Sequence, residues 1–189
     1  MTLSLVWQLL FYGWFASEIL VAVVTRTKRS GGKVQDRGSL IILWIVIAAS
    51  ITACQWISEA TRPNMFGGAH ALKTAGVIVM LAALAIRWTA IFTLGKSFSA
   101  NVAIQDSQQM IRTGLYRFVR HPSYLGLLLA FLAVGLHSRN WISFAIVLVP
   151  TTAALLYRIH VEEAALAQAF GDDYAAYSRA TKRLVPGVF

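Results

Sequence analysis

The chain has 189 residues, 57% of them hydrophobic and 13% charged, where an ordinary soluble domain carries about 25% charged residues, so most of its surface does not face water. One cysteine, Cys54, lies inside an apolar run and excludes a disulfide framework or a multi-cysteine metal site. The net charge of +9 does not point to nucleic acid, because the basic residues fall in the gaps between apolar runs, where a membrane protein collects Lys and Arg on its cytoplasmic side.

A helix that crosses a bilayer needs about 20 mostly apolar residues. Residues 3–24 meet this with Glu18 as their only charge, and 40–57 with none. Residues 71–94 meet it with Lys73 near one end and Arg87 nearer the other. Two shorter apolar runs follow, 122–136 and 141–157, joined by His137-Ser138-Arg139-Asn140. So short a polar turn predicts a tight helical hairpin. The expected fold is therefore all-α: a single integral membrane domain over residues 1–189 with about five transmembrane helices, the last two forming the hairpin. The first run has no basic region before it and no small-residue cleavage site after it, so it reads as a span rather than a signal peptide.

Charge in the loops sets the expected orientation. Residues 25–38 carry Arg26, Lys28, Arg29, Lys33 and Arg37 against Asp36, whereas 58–70 carry Arg62 and Glu59 as their only full charges. Residues 95–121 carry Lys96, Arg112, Arg117 and Arg120 against Asp106, and the tail adds Arg179, Lys182 and Arg183. Basic and nearly neutral loops alternate, which predicts an outside N-terminus and a cytoplasmic C-terminus. The segments 95–121 and 158–189 are long and polar. Both fall on the predicted cytoplasmic side, where two such segments on a rigid scaffold can build a site.

Chemistry-bearing residues gather in these segments. Arg120-His121-Pro122-Ser123-Tyr124 stands where the third loop enters the fourth span. Pro122 suits the first turn of a helix, and the exposed N–H groups there favour an anion. The same five residues also suit an interfacial anchor. Arg158 and Glu162 are four apart and share a helical face at the end of the last span. They form either a surface ion pair or a binding pair, with Glu162 for an ammonium and Arg158 for a carboxylate. Arg87, inside the third span, either faces a polar partner or snorkels to the headgroups. Glu18, inside the first span, either pairs with Arg87 or is protonated. His70, His137 and His160 are scattered without metal-ligand spacing, and the chain has no phosphate-cradling Gly-rich loop, nucleophile elbow or dinucleotide fingerprint.

Two blocks of sequence resemble a known family. The first runs through Leu94-Gly95-Lys96-Ser97-Phe98-Ser99, Gly114-Leu115-Tyr116-Arg117 and Arg120-His121-Pro122-Ser123-Tyr124-Leu125-Gly126. The second comprises Arg158, Glu162-Glu163, Leu166, Phe170-Gly171, Tyr174, Tyr177 and Thr181-Lys182-Arg183-Leu184-Val185-Pro186-Gly187. Together, over roughly residues 84–189, they resemble the isoprenylcysteine carboxyl methyltransferase family, while the first two spans match nothing in it. The resemblance implies S-adenosyl-L-methionine (SAM) as cofactor, held by Gln105, Gln108, Gln109, Met110, Ile111, Tyr116, His121, Pro122, Ser123, Tyr124 and Glu162. It implies that Arg87 and Arg158 meet a substrate carboxylate. This chain has Gln108 where the family often has His. The implied partners are a lipid-like substrate, such as a prenylated cysteine, and membrane lipid.

A methyl group on a sulfonium is already activated, and a carboxylate is already ionised at neutral pH. Such a reaction needs alignment and exclusion of water, with no strong base. An amine acceptor would first have to lose a proton, and no obvious base is present, which favours a carboxylate. The alternatives are a phospholipid N-methyltransferase, an NADPH-dependent membrane reductase of a sterol or lipid double bond, and a non-catalytic membrane protein on the same scaffold.

Overall fold

The computed structural model describes residues 2–25, 33–34, 38–61, 68–99, 103–104, 110–187 and 189. Five α-helices carry the chain: α1 (Leu3–Val24), α2 (Ser39–Ala60), α3 (Ala69–Leu94), α4 (Pro122–Ser138) and α5 (Trp141–Ala180). Short 3-10 turns at Gly95–Ser97 and Gly114–Arg117 lie between α3 and α4. Lys33–Val34 pairs antiparallel with Ala103–Ile104, which ties the segment after α1 to the segment after α3.

The expected all-α polytopic architecture is the one observed. Helices α1, α2, α3 and α5 are long and apolar enough to cross a membrane, and α4 is a shorter apolar helix of 17 residues. At 1.5 Å per residue α1 and α2 span about 33 Å and α4 about 26 Å, against a hydrocarbon thickness of about 30 Å. Pro122 opens α4 at its first turn, and Arg139 closes it in the left-handed region at φ 56°. Asn140 then caps α5 with its side-chain oxygen, accepting from the N–H groups of Ile142 and Ser143 at 2.9 and 3.1 Å. The Asn140 amide donates to Thr61 Oγ1 at 2.7 Å, and Ser143 Oγ donates to the Cys54 carbonyl at 3.1 Å, so the hairpin turn is pinned to the end of α2.

The last span, expected over 141–157, and the polar segment with the helical face of Arg158 and Glu162 form one helix, α5, which continues to Ala180. The apolar pattern stops where the helix leaves the hydrocarbon, while good helix formers, Glu162-Glu163-Ala164-Ala165-Leu166-Ala167-Gln168, carry it onward. Its interruption is Gly171, at φ 50° and ψ −123°, a conformation that a side chain strongly disfavours. The break lets the last turns fold back over the site.

The core is built by α4 lying along α3, and by α2 and α4 lying along α5. Met80, Ala83 and Ala90 of α3 and Ala130, Phe131 and Ala133 of α4 are fully buried. In a membrane, helices associate by close approach over small residues, and Gly126 is the point of closest approach. A Cβ there would stand 2.8 Å from Arg87 Cβ and 2.9 Å from Arg87 Cα and N. Backbone atoms cannot yield as a flexible side chain would. Gly126→Val is therefore expected to lower the thermal midpoint of the detergent-purified protein, on the overpacking scale of about 1–3 kcal/mol. Gly13→Val, where an added Cβ meets nothing within 4 Å, should leave it nearly unchanged; equal midpoints in both variants would contradict the close packing.

Candidate functional site

Two buried charges meet in the membrane zone. Arg87 Nε donates to Glu18 Oε1 at 2.9 Å and Nη2 to Glu18 Oε2 at 2.7 Å, a forked pair between α3 and α1. Nη1 donates to both the carbonyl, at 3.2 Å, and the hydroxyl of Ser123 in the first turn of α4. The ring of Phe98 lies 5.8 Å from the guanidinium carbon. Arg87 is 7% and Glu18 9% exposed, so this arginine does not snorkel. An unpaired charge at such a position is costly, and the pairing fixes α1 and α3 to the start of α4.

A second chain of contacts crosses α2, α5 and α4. Arg158, 2% exposed, donates from Nη1 to Ser39 Oγ at 2.8 Å and from Nε to Tyr124 Oη at 3.1 Å. Tyr124 in turn donates to Glu162 Oε2 at 2.6 Å. The i, i+4 relation of Arg158 and Glu162 is thus bridged by the phenol of α4.

A third cluster docks the tail. Arg120 Nε and Arg183 Nε donate to the two oxygens of Glu163, each at 3.0 Å. Arg120 Nη1 also donates to the carbonyls of Ser178, at 2.8 Å, and Thr181. The backbone follows: Arg120 N–H donates to Lys182 O at 2.8 Å and His121 N–H to Arg183 O at 2.9 Å. Tyr177 Oη donates to Tyr116 O at 2.6 Å. Burial pushes the Glu163 carboxyl up, but His121 and Arg120 outweigh it and hold it at about 2. Burial, with the Glu162 charge beside it, pushes the Tyr116 phenol above its ordinary range.

These elements line an open cavity. Its polar wall carries Tyr116, His121, Ser123, Tyr124, Arg158, Glu162 and Tyr174; Met110, Ile111 and Arg120 also face it. Its apolar wall carries Trp14, Phe15, Leu43, Trp44, Ile47 and Leu127. Arg87 and Glu18 reach it from the membrane zone. Of the residues singled out in the sequence, Pro122 is buried in the first turn of α4 and does not line the cavity. Gln105, Gln108 and Gln109 lie outside the described residues. The sequence reading missed Ser39 and the aromatic wall of α1 and α2, for which an apolar run gives no signal. It also missed the hold of Arg120 on Glu163.

The polar wall fits a ligand rich in hydrogen-bonding groups. His121 Nε2 and Tyr174 Oη are buried without a well-formed hydrogen bond, the former standing 3.4 Å from Glu163 Oε1. Buried polar atoms are rarely left so. An anionic Glu162 beside them suits the ammonium of an amino-acid-like group. Among the described residues no group of three His, Cys, Asp or Glu side chains is placed to hold a metal.

Comparison with known proteins gives a consistent picture. Residues 76–168 match the isoprenylcysteine carboxyl methyltransferase (ICMT) family. Protein-S-isoprenylcysteine O-methyltransferase B of Arabidopsis thaliana is 28% identical over 177 residues, covering 91% of this chain and 87% of that protein. Methanethiol S-methyltransferase 1 of Bradyrhizobium diazoefficiens is 29% identical over 156 residues, covering 78% of this chain and 54% of that protein, so this chain spans about half of its length. The solved structure of the eukaryotic intramembrane Ras methyltransferase ICMT superposes with a TM-score of 0.59 at 23% identity, over 77% of this chain and 52% of that one, a likeness of fold.

The docking cluster makes a pH prediction. A carboxyl held at about 2 rather than its ordinary 4.5 contributes stability that is complete above the ordinary value and is lost as pH falls toward 2. The thermal midpoint of the wild type should therefore drop between about pH 4.5 and 2. Glu163→Gln should have a lower midpoint at pH 7 and a flatter profile across that window; parallel profiles would contradict the role given to Glu163.

Proposed function

We propose that this chain, whose residues 76–168 match the isoprenylcysteine carboxyl methyltransferase family, belongs to that family and transfers a methyl group from SAM to a lipid-like acceptor at the cytoplasmic face of the membrane, with the carboxylate of a prenylcysteine-type molecule as that acceptor. The observation that carries this reading is the two-sided cavity. One wall offers carboxylate, imidazole, phenol and guanidinium groups, and the other is aromatic and aliphatic over the spans α1, α2 and α4. A polar cofactor suits the first and a hydrocarbon tail the second.

When bound, SAM supplies a methyl group activated on a sulfonium. The residues of this chain have the tasks of binding, orienting and keeping out water. Glu162 suits the amino group of the cofactor, and His121 and Tyr174 line the cavity as further hydrogen-bonding groups. Met110, Ile111 and Tyr116 line the same wall. Arg158 lines the cavity, and its guanidinium, held by Ser39 and Tyr124, is the cation assigned to the acceptor carboxylate. Arg87 is already committed to Glu18 and Ser123, so its part is to hold the start of α4 rather than to bind the acceptor. Alignment of an ionised carboxylate with an activated methyl group requires no general base from the protein.

The similarity to methanethiol S-methyltransferases supports a second reading, in which the acceptor is a thiol. The broad apolar wall supports the long-tailed acceptor instead. The two separate in one assay: transfer of isotopically labelled methyl from SAM by protein in lipid nanodiscs, to N-acetyl-S-farnesylcysteine or to methanethiol. Methylation of the farnesyl compound is expected; labelling of methanethiol alone would favour the thiol reading, and labelling of neither would overturn both. Glu162→Gln, which keeps shape and removes charge, should weaken binding of S-adenosylhomocysteine at least about ten-fold, the scale of a hydrogen bond to a charged group. Unchanged affinity would remove Glu162 from the cofactor site.

A further inference from the structure

The polar wall of the cavity is held by side chains from three helices, and one of them lies in the part of the chain outside the family match. Ser39 is the first residue of α2, 1% exposed, and the N-cap position before it is Gly38. Its Oγ receives the Nη1 proton of Arg158 at 2.8 Å across 119 positions of sequence. The second defined contact of that guanidinium is through a different nitrogen: Nε to Tyr124 Oη at 3.1 Å. A guanidinium is rigid and planar. Contacts at separate nitrogens, from α2 and α4, constrain the direction of its plane.

Tyr124 then joins this plane to the opposite charge. A phenol has one proton to give and lone pairs to receive. Here the proton goes to Glu162 Oε2 at 2.6 Å and a lone pair receives Arg158 Nε–H. Hydrogen bonds in series polarise one another. Ser39, Arg158, Tyr124 and Glu162 therefore form one line from α2 to the carboxylate, and Arg158, Tyr124 and Glu162 all face the cavity.

We propose that Ser39 is a positioning residue for the acceptor: its hydroxyl sets the plane of Arg158, and the Tyr124 hydroxyl locks that plane to Glu162, so that acceptor and methyl donor are aligned by one hydrogen-bonded line. This rests on the reading of the cavity as a methyltransferase site. It assigns a role in the reaction to α2, which carries no family motif.

The test is steady-state methylation of N-acetyl-S-farnesylcysteine beside calorimetric binding of S-adenosylhomocysteine, both with full-length protein in nanodiscs. Ser39→Ala removes the hydroxyl that accepts from Arg158 Nη1. It should raise KM for the acceptor about ten-fold, the scale of one hydrogen bond to a charged group, and leave the dissociation constant of S-adenosylhomocysteine within about two-fold. Ser39→Thr, which keeps the oxygen, should restore KM. Tyr124→Phe cuts the line at its centre and should weaken both constants. An unchanged KM in Ser39→Ala, or loss of acceptor and S-adenosylhomocysteine binding in parallel, would overturn the positioning role. If Ser39→Ala does not fold, Ser39→Cys gives the same reading: a raised KM supports the role and an unchanged KM overturns it. Wild-type protein that binds no S-adenosylhomocysteine would instead overturn the methyltransferase reading itself.

Discussion

A charge inside a bilayer must find its counter-charge or leave the hydrocarbon, and the fork between Arg87 and Glu18 is where this chain meets that demand. The pair also sets the geometry around it. With both Arg87 nitrogens on the Glu18 side engaged, the third turns to Ser123, and the first turn of α4 is fixed in height and rotation. Gly126, one turn further along α4, lets the backbones of α3 and α4 come close enough for this to happen. His121 and Tyr124, on either side of Ser123, thereby acquire their places in the cavity wall.

The charged groups outside the apolar core obey the same logic at lower cost. Arg120, Arg183 and Glu163 tie the tail beneath the start of α4, reinforced by backbone contacts between 120–121 and 182–183. The kink at Gly171 turns the end of α5 back, which brings Tyr174 and Tyr177 to the cavity. The site thus depends on two clamps, one within the spans and one outside them, with the line from Ser39 to Glu162 between. Clamps made of paired charges are rigid in direction, as alignment of two substrates requires.

Much of this was legible in the sequence. The apolar runs located the spans, the four-residue polar turn located the hairpin, and the spacing of Arg158 and Glu162 put them on one face. Lone charges at Glu18 and Arg87 in otherwise apolar runs raised the pairing that the structure contains. The exact end of α5 was not legible, because hydropathy reports where a helix leaves lipid, not where its hydrogen bonding stops. Ser39 gave no signal, since a serine at a helix start ordinarily reads as a cap. Glu163 was obscured by its neighbour: adjacent glutamates point to different faces of a helix, and which of them meets Arg120 depends on how the distant tail returns.

The most direct test of the central claim, that the polar wall of this cavity receives SAM, is calorimetric titration of the detergent-purified wild type with S-adenosylhomocysteine and, separately, with NADPH. Saturable binding of S-adenosylhomocysteine at one site per chain, with no heat from NADPH, is the predicted result. Binding of NADPH alone would contradict the account: the fold and its clamps would stand, but the groups on the polar wall would serve a reductase.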